Sequence, residues 1–279
     1  MTLVAEGLAR TFGRQVAVVE ADITLVPGQI TGLVGPNGAG KTTLLLMLAG
    51  LLQPSDGSIR IDGEVVDPVR LRERVGWMPD VFGTWESLTA QEILIAFARL
   101  HGRSIAQARQ RAAALLAEVH LTDFAGRPAQ ELSRGQKQRL GFARALVHEP
   151  RVLLLDEPAS GMDPRSRVEL RDSLRALADG GCAVLVSSHI LSELGEMVDH
   201  VVMMRAGCTT PPPAALGSTW RIRLLGQPAG ASTQLTFADD DEAAQYLAHT
   251  VGSGTRVLEF ARATSALEDA YFALEADRT

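Results

Sequence analysis

The feature that constrains this chain most is a glycine-rich loop, Gly35-Pro36-Asn37-Gly38-Ala39-Gly40-Lys41-Thr42. The residues before it, 30–34, form a short apolar run that predicts a buried strand. Residues 42–52 are good helix formers without an internal proline, and they predict a helix. Strand, loop and helix in this order match the pattern G-x-x-x-x-G-K-T, so the chain is expected to hold a phosphate group here.

The chemistry of the loop follows from its backbone. Glycines let the chain curl until several N–H groups point at phosphate oxygens, and the helix that starts near Lys41 adds the positive end of its dipole. Lys41 is expected to reach the β- and γ-phosphates, the Thr42 hydroxyl to ligate Mg²⁺, and Thr43 to contact the α-phosphate. The alternative is a glycine-rich turn with a chance lysine. The backbone positions expected to bind phosphate are Gly35, Asn37, Gly38 and Gly40.

A pair of carboxylates, Asp156 and Glu157, directs this phosphate site towards hydrolysis. Asp156 ends the apolar run 151–155, and a carboxylate at the carboxyl edge of a parallel sheet is placed to hold Mg²⁺ through water beside Thr42. Glu157 is then placed to orient or deprotonate an attacking water. The alternative is a structural Asp-Glu turn closed by Pro158. This alternative has less support than a catalytic pair, because the chain also has a phosphate loop.

The rest of the chain predicts an α/β domain followed by a smaller one. The apolar runs 151–155 and 183–186 are typical of parallel strands covered on both faces, and residues 89–119 predict a projecting helical subdomain. Residues 209–213 contain three prolines and predict a linker. Beyond it, alternating patterns predict a small β-β-α-β-α domain. We therefore place the domains at 1–207 and 208–279.

Composition narrows the class of protein. The net charge is −6 (27 basic against 33 acidic residues), which argues weakly against broad binding of nucleic acid. Cys182 and Cys208 lack metal-ligand spacing and are expected to be reduced thiols in the cytosol. No signal peptide and no apolar run of about 18 residues is evident, so this chain is not expected to cross a membrane.

Further motifs make the chain resemble the ATP-binding cassette (ABC) transporter family. Residues 132–136, Leu-Ser-Arg-Gly-Gln, resemble the family signature L-S-G-G-Q, and Asp156 follows at a similar spacing. Residues 160–163 resemble the D-loop, and residues 187–189 the region of the switch histidine. Together with the phosphate loop and the two carboxylates, these motifs occur in the family's order over residues 1–207. The resemblance implies a P-loop NTPase cassette with a parallel core sheet, an antiparallel β portion and a helical subdomain.

The resemblance also implies roles for individual residues. Ser133, Gly135 and Gln136, at the start of a helix, would face the γ-phosphate held by a second cassette, although a plain helix cap is an alternative for this stretch. Phe12 would stack on the adenine, and Asp163 of the D-loop would also contact the nucleotide. His189 would have a catalytic role: it would hydrogen-bond the γ-phosphate and help to hold Glu157 and the attacking water in place.

Two positions depart from the family pattern. Arg134 replaces the first glycine of the signature; Ser133 and Gly135 remain, so the partner site is expected to survive. Asp80 stands where the Q-loop normally has glutamine, and it is expected to approach Mg²⁺ through water without donating a hydrogen bond when ionised. In the following stretch, Phe82 and Trp85 are either anchors for a membrane subunit or residues that pack inward.

The preferred hypothesis is that the chain is the ATP-hydrolysing subunit of a two-component exporter of the ABC-2 type. Residues 267–274, the Pro79-Asp80 pair and the changed signature resemble those of such subunits. This hypothesis implies ATP and Mg²⁺, a second cassette of the same or a related kind, a separate transmembrane permease, and a peripheral position on the cytoplasmic face of the membrane. The second domain is expected to regulate the cassette or support dimerisation. Two alternatives are a soluble ABC ATPase that acts on ribosomes or DNA and a degenerate module that holds ATP without turnover.

Overall fold

A computed structural model describes residues 1–81, 83, 87–188, 194, 197–211, 218–228 and 232–262. Within these ranges the chain divides into two compact units. The first contains the described residues of 1–188 and 197–210, and the second contains Leu194 and the described residues from 211 onward. Phe82, Trp85, His189 and the expected terminal helix near residues 265–274 lie outside the described residues.

The first unit is built on a mixed sheet that has ten strands among the described residues, in the order β5-β4-β1-β2-β10-β9-β3-β8-β7-β6. Neighbours β3/β8, β3/β9, β7/β8 and β6/β7 are parallel, whereas β1 pairs antiparallel with β2 and β4. The expected fold class, a parallel core with an antiparallel portion, is confirmed. The strands are β1 Leu3–Phe12, β2 Gln15–Leu25, β3 Ile30–Val34, β4 Asp56–Ile61, β5 Glu64–Val65, β6 Val75–Met78, β7 Val152–Asp156, β8 Ala183–Ser188, β9 His200–Arg205 and β10 Cys208–Thr210.

The three strands β3, β7 and β8 carry the site. All their residues are buried, because layers of the fold cover both faces of the sheet. In the parallel register Asp156 pairs with Ser187, so both residues stand at the carboxyl edge of the sheet. The phosphate loop leaves β3 at the same edge, and this topology brings the predicted residues together.

The helices of the first unit begin at recognisable caps. Thr89, Ser104 and Ser133 each form a reciprocal capping box with the residue three positions later, and these boxes satisfy the free N–H groups at the helix starts. Helices α3 and α4 form the helical subdomain expected over residues 89–119, and α5 contacts both of them. The helices are α1 Lys41–Leu48, α2 Pro68–Arg74, α3 Ala90–Leu100, α4 Ile105–Glu118, α5 Arg134–Ala145 and α6 Pro164–Asp179, with short 3₁₀ turns at Thr122–Phe124 and Ala129–Glu131.

The sequence of residues 53–76 predicts short strands with a hairpin turn at Asp62-Gly63. Helix α2 corrects this expectation for residues 68–74. Its start signal is local: the Asp67 side chain accepts a hydrogen bond from the N–H of Arg70, and Pro68 occupies the first turn, where its missing donor costs nothing. The turn predicted at Asp62-Gly63 does join two strands, β4 and β5.

The second unit is a three-stranded antiparallel sheet in the order β12-β11-β13, with one described helix. Its elements are β11 Ser218–Leu224, β12 Thr233–Phe237, α7 Asp240–Gly252 and β13 Val257–Arg262. The rings of Trp220 and Phe260 stack with their centroids 4.7 Å apart, and the ring centroids of Phe237 and Tyr246 are 5.2 Å apart. Strand β10 pairs with β2 and β9, so Cys208–Thr210 belong to the first sheet, and the boundary falls three residues later than expected.

Candidate functional site

The phosphate loop is closed by backbone contacts that exclude side chains at two glycines. Gly40 has a φ of 106°, and a Cβ at this position would lie 2.5 Å from the carbonyl oxygen of Ala17. A Cβ on Gly35 would lie 2.2 Å from the carbonyl oxygen of Met204. The loop therefore needs glycine for its conformation and for its close contact with neighbouring strands.

Lys41 starts α1 and lies buried beneath the loop. Its Nζ donates hydrogen bonds to the carbonyl oxygens of Gly35 at 2.6 Å and Pro36 at 3.2 Å. Burial lowers the pKa of Lys41, and the nearby carboxylates of Glu157 and Asp156 act in the opposite direction. An ammonium group has three donors, so these two bonds leave a third for a phosphate oxygen.

Asp156 is held by two hydroxyls at the end of β7. Thr42 Oγ1 donates to Asp156 Oδ2 at 2.7 Å, and Ser187 Oγ donates to Asp156 Oδ1 at 2.5 Å. The carboxylate is buried, and such charge-assisted bonds fix its orientation. Sequence reasoning missed Ser187 as a site residue, although its place on the strand next to Asp156 was a signal for it.

Glu157 has an unusual backbone conformation, with a φ of 49°. Its N–H donates to the carbonyl oxygen of Ser187 at 3.2 Å and to Ser187 Oγ at 3.0 Å. Non-glycine residues in the left-handed region are uncommon and are enriched at functional sites. This conformation is therefore consistent with the water-activating role predicted for Glu157.

One cavity of about 330 Å³ is lined by Gly40, Lys41, Thr42, Asp156 and Glu157 together with other residues of the first unit. The cavity combines loop residues with three carboxylates, and Asp80 joins Asp156 and Glu157 there. Three lining residues that sequence reasoning did not name come from β2: Gln15, Val16 and Ala17. The predicted residues that the structure brings together are Asn37, Gly38, Gly40, Lys41, Thr42, Thr43, Asp80, Asp156 and Glu157.

The signature residues lie elsewhere on the first unit. Ser133 caps α5: its Oγ accepts from the N–H of Gln136 at 3.3 Å, and its own N–H donates to Gln136 Oε1 at 2.9 Å. Neither residue is among those that line the loop cavity, and the same is true of Gly135. Both halves of the capping box are exposed or half-buried at a helix start, so a ligand from outside the chain has access to them.

Helix α5 is nevertheless linked to the loop cavity. Gln138 is buried, and its Nε2 donates a 3.4 Å hydrogen bond to the backbone oxygen of Asp80. The signature helix therefore contacts the segment that supplies the third carboxylate of the cavity. Sequence reasoning did not find this contact, because the two residues are 58 positions apart.

The remaining predicted residues occupy separate positions. Phe12 ends β1 and is 47% exposed, with the guanidinium of Arg10 4.7 Å from its ring centroid. Asp163 caps α6 and accepts hydrogen bonds from Ser166 N–H at 3.0 Å and Oγ at 2.7 Å, which lower its pKa. The roles assigned to Phe12 and Asp163 stay predictions.

A second cavity, of about 590 Å³, lies between the sheet and the helical subdomain. Its wall includes three exposed apolar side chains, Leu51, Val69 and Leu100. Strand β6 contributes Trp77 to this wall, and the strand ends at Met78, two residues before Asp80. We call this cavity the lateral groove.

The fold and the loop cavity together define a P-loop nucleotide-binding protein whose helical subdomain is inserted in the chain between strands β6 and β7. The chain belongs to the ABC transporter family, whose family model, described as ABC transporter, matches residues 18–160. Among the described helices, none combines the length and the apolar character that crossing a bilayer requires.

Individual relatives agree with this assignment. The chain is 46% identical over 195 residues to the probable multidrug ABC transporter ATP-binding protein YbhF of Escherichia coli, and the match covers 68% of this chain and 33% of YbhF. It is 37% identical over 227 residues to the daunorubicin/doxorubicin resistance ATP-binding protein DrrA of Streptomyces peucetius, which covers 78% of this chain and 69% of DrrA. This chain thus spans about a third of the length of YbhF.

A solved structure supports the fold. The structure described as the dimeric structure of MJ0796, a bacterial ABC transporter cassette, matches with a TM-score of 0.69 at 24% identity. The match covers 75% of this chain and 98% of that cassette. At this identity the similarity establishes the cassette fold.

Proposed function

We propose that this chain is the ATP-hydrolysing subunit of a membrane exporter. The observation that carries the proposal is the convergence of Lys41, Thr42, Asp156 and Glu157 in one cavity. The names of YbhF and DrrA, which refer to multidrug transport and drug resistance, support export as the direction of transport.

The chain's own groups account for the chemistry of hydrolysis. Phosphoryl transfer depends mainly on positioning and on neutralising charge. The loop N–H groups and Lys41 would bind the phosphates, and Glu157 would hold the attacking water in line and accept its proton. Asp156 is oriented by hydrogen bonds from Thr42 and Ser187, so its carboxylate would be held ready for a cation.

The residues of the cavity fit Mg²⁺. Three carboxylates face one lysine there, so a triphosphate would be repelled unless a divalent cation entered with it. Thr42 and Asp156 would hold the cation, with Asp80 acting through water, and such oxygen ligands suit Mg²⁺. The cation would supply charge neutralisation at the phosphates.

We expect the working form to contain two cassettes. Ser133, Gly135 and Gln136 present a helix start that is not part of the chain's own loop cavity, so it is available to the nucleotide of a second copy or a related cassette. The dimeric MJ0796 cassette, which shares this fold, supports such an arrangement. ATP would then join the two cassettes, and hydrolysis would release them.

The lateral groove is the surface we assign to a separate transmembrane permease on the cytoplasmic face of the membrane. Its exposed apolar side chains suit a partner helix, and Trp77 lines it on the strand that leads to Asp80. A partner in the groove would therefore bias the position of a carboxylate in the loop cavity.

We assign the second unit to regulation or dimer support. Unchanged dimerisation and ATP turnover after removal of residues 211–279 would contradict this assignment.

The test of the proposed function is the replacement Glu157→Gln, which keeps the shape of the side chain but removes its ability to accept a proton. We expect the turnover of ATP to fall by about two orders of magnitude or more, while ATP binding persists and an ATP-bound dimer accumulates. The control is Glu64→Gln on exposed strand β5. Phosphate release and size-exclusion chromatography measure the two effects, and full turnover in Glu157→Gln would refute the role of Glu157.

The two alternatives make different predictions. A module that holds ATP without turnover would release no phosphate even in the wild type. An ATPase that acts on ribosomes or DNA would be recovered with them and never with a polytopic membrane protein. The names of the two relatives reported above refer to transport and drug resistance, which gives that alternative no support.

A further inference from the structure

The side chain of Arg134 lies across the turn that follows Glu157. Its Nη2 donates a 2.7 Å hydrogen bond to Ser160 Oγ. The same side chain covers Gly161, where a Cβ would lie 2.6 Å from Arg134 Nε. Gly161 also has a φ of 73°, so both its conformation and the arginine above it favour glycine.

The turn under Arg134 helps to hold the strained backbone of Glu157. With a φ of 49°, Glu157 needs its surroundings to maintain its conformation. On the amino side its N–H is bound by Ser187, and on the carboxyl side its carbonyl oxygen accepts a 3.1 Å hydrogen bond from the N–H of Ser160. Arg134 thus binds the residue that supplies the second of these contacts.

We propose that Arg134 is a positioning residue for Glu157: by holding Ser160, it fixes the turn that keeps the glutamate carboxylate in place. This inference rests on the proposed function, in which Glu157 activates water. A glycine at position 134, which the family signature has, offers no side chain to reach Ser160. The arginine therefore adds a support that the usual signature lacks, and it connects the signature segment with the chain's own hydrolytic residue.

The geometry also bears on a competing role for the guanidinium. An arginine beside Ser133 could instead bind the phosphate of a nucleotide on the partner cassette. In the present structure the group is engaged with Ser160 and Gly161 of its own chain. The two roles differ in what Ser160 contributes, because the hydroxyl matters only if Arg134 acts through it.

The first experiment measures the turn directly, without depending on hydrolysis. Hydrogen–deuterium exchange in the nucleotide-free full chain would follow the amide of residue 160 in the wild type, Arg134→Ala, Ser160→Ala and the double variant. We expect faster exchange in each single variant and no further increase in the double variant, since both remove the same contact. Lys137→Ala, which removes a cation one turn further along α5, is the control and should exchange like the wild type.

The second experiment separates positioning from binding. Arg134→Ala and Ser160→Ala should each lower kcat by roughly two- to tenfold and leave the KM for ATP within about twofold of the wild-type value, since an exposed charged contact has a modest effect. The double variant should be no slower than the single ones. Arg134→Lys, which can still donate to Ser160, should recover part of the rate.

Several results would overturn the proposal. Unchanged exchange at residue 160 in Arg134→Ala would show that the turn does not depend on the arginine. Additive effects of the two replacements would show that they act separately. A raised KM in Arg134→Ala with a neutral Ser160→Ala would place the guanidinium on the partner's phosphate. An absence of ATP turnover in the wild type would contradict the proposed function, while the exchange result would still decide whether Arg134 holds the turn.

Discussion

Replacing Ser187 with alanine removes the hydrogen bond that one oxygen of the buried Asp156 carboxylate accepts. Asp156 is only 3% exposed, and its other oxygen keeps the bond from Thr42. A charge-assisted bond of this kind contributes about 1.5–3 kcal/mol, and water cannot readily replace it at a buried carboxylate. The N–H of Glu157 keeps the carbonyl oxygen of Ser187 as an acceptor, so the loss is concentrated at Asp156.

The assay for Ser187→Ala is the free energy of unfolding in urea, together with the rate of ATP turnover. We expect a loss of about 2 kcal/mol, a fall in Tm of roughly 4–8 °C for a unit of this size, and slower turnover because the carboxylate beside Thr42 is less well held. The matched control is Ser173→Ala, whose hydroxyl donates a 2.8 Å bond to the carbonyl oxygen of Glu169 on α6. This neutral bond should contribute about 1 kcal/mol or less. Equal losses for the two variants would refute the reasoning that the charge of Asp156 makes the Ser187 bond the stronger one.

Two further predictions concern the loop and a half-buried histidine. Gly40→Ala should prevent ATP binding and destabilise the chain by more than about 2 kcal/mol, because the new Cβ meets the carbonyl oxygen of Ala17 and φ is 106°. Gly38 has a φ of 81° but open space where a Cβ would lie, so Gly38→Ala should lower the free energy of unfolding by only about 1 kcal/mol. Nucleotide titrations and urea unfolding measure both variants, and equal effects of Gly40→Ala and Gly38→Ala would contradict the prediction. Burial lowers the pKa of His148 from 6.5 to about 4. Between pH 6.5 and pH 4 the unfolded chain therefore binds a proton at this histidine that the folded chain does not, so the free energy of unfolding decreases as the pH falls. Urea unfolding at pH 7 and pH 5 should show a smaller loss of stability in His148→Phe than in the wild type, whereas His249→Phe, at an exposed histidine, should behave like the wild type. The same loss in the wild type and both variants would contradict the role assigned to His148.

The central part of the site was predictable because its chemistry is encoded locally. The loop needs glycines and Lys41 at fixed spacing, and an apolar strand that ends in Asp156 places a carboxylate at the carboxyl edge of a parallel sheet. The buried strands β3, β7 and β8 could be predicted for the same reason, since residues apolar on both faces fit only the middle of such a sheet.

The contacts that connect the site to the rest of the unit could not be predicted in this way. Arg134 and Ser160 are 26 residues apart, and Gln138 and Asp80 are 58 apart, so both contacts depend on how distant segments pack. Sequence alone shows Arg134 only as a departure from a pattern. Helix α2 is a different case, because its Asp67-Pro68 start is a local signal that the strand-like residues around it obscured.

The most direct test of the account is whether each ATP site is shared between two chains. Lys41→Ala should disable the phosphate loop but keep the signature, and Ser133→Asp should keep the helix cap while its negative charge repels a phosphate. Each variant alone should be inactive. An equal mixture should recover about a quarter of the wild-type turnover, because half of the dimers would carry one intact site out of two. A mixture that stays inactive, or a Ser133→Asp chain that hydrolyses ATP at the full rate by itself, would contradict the account.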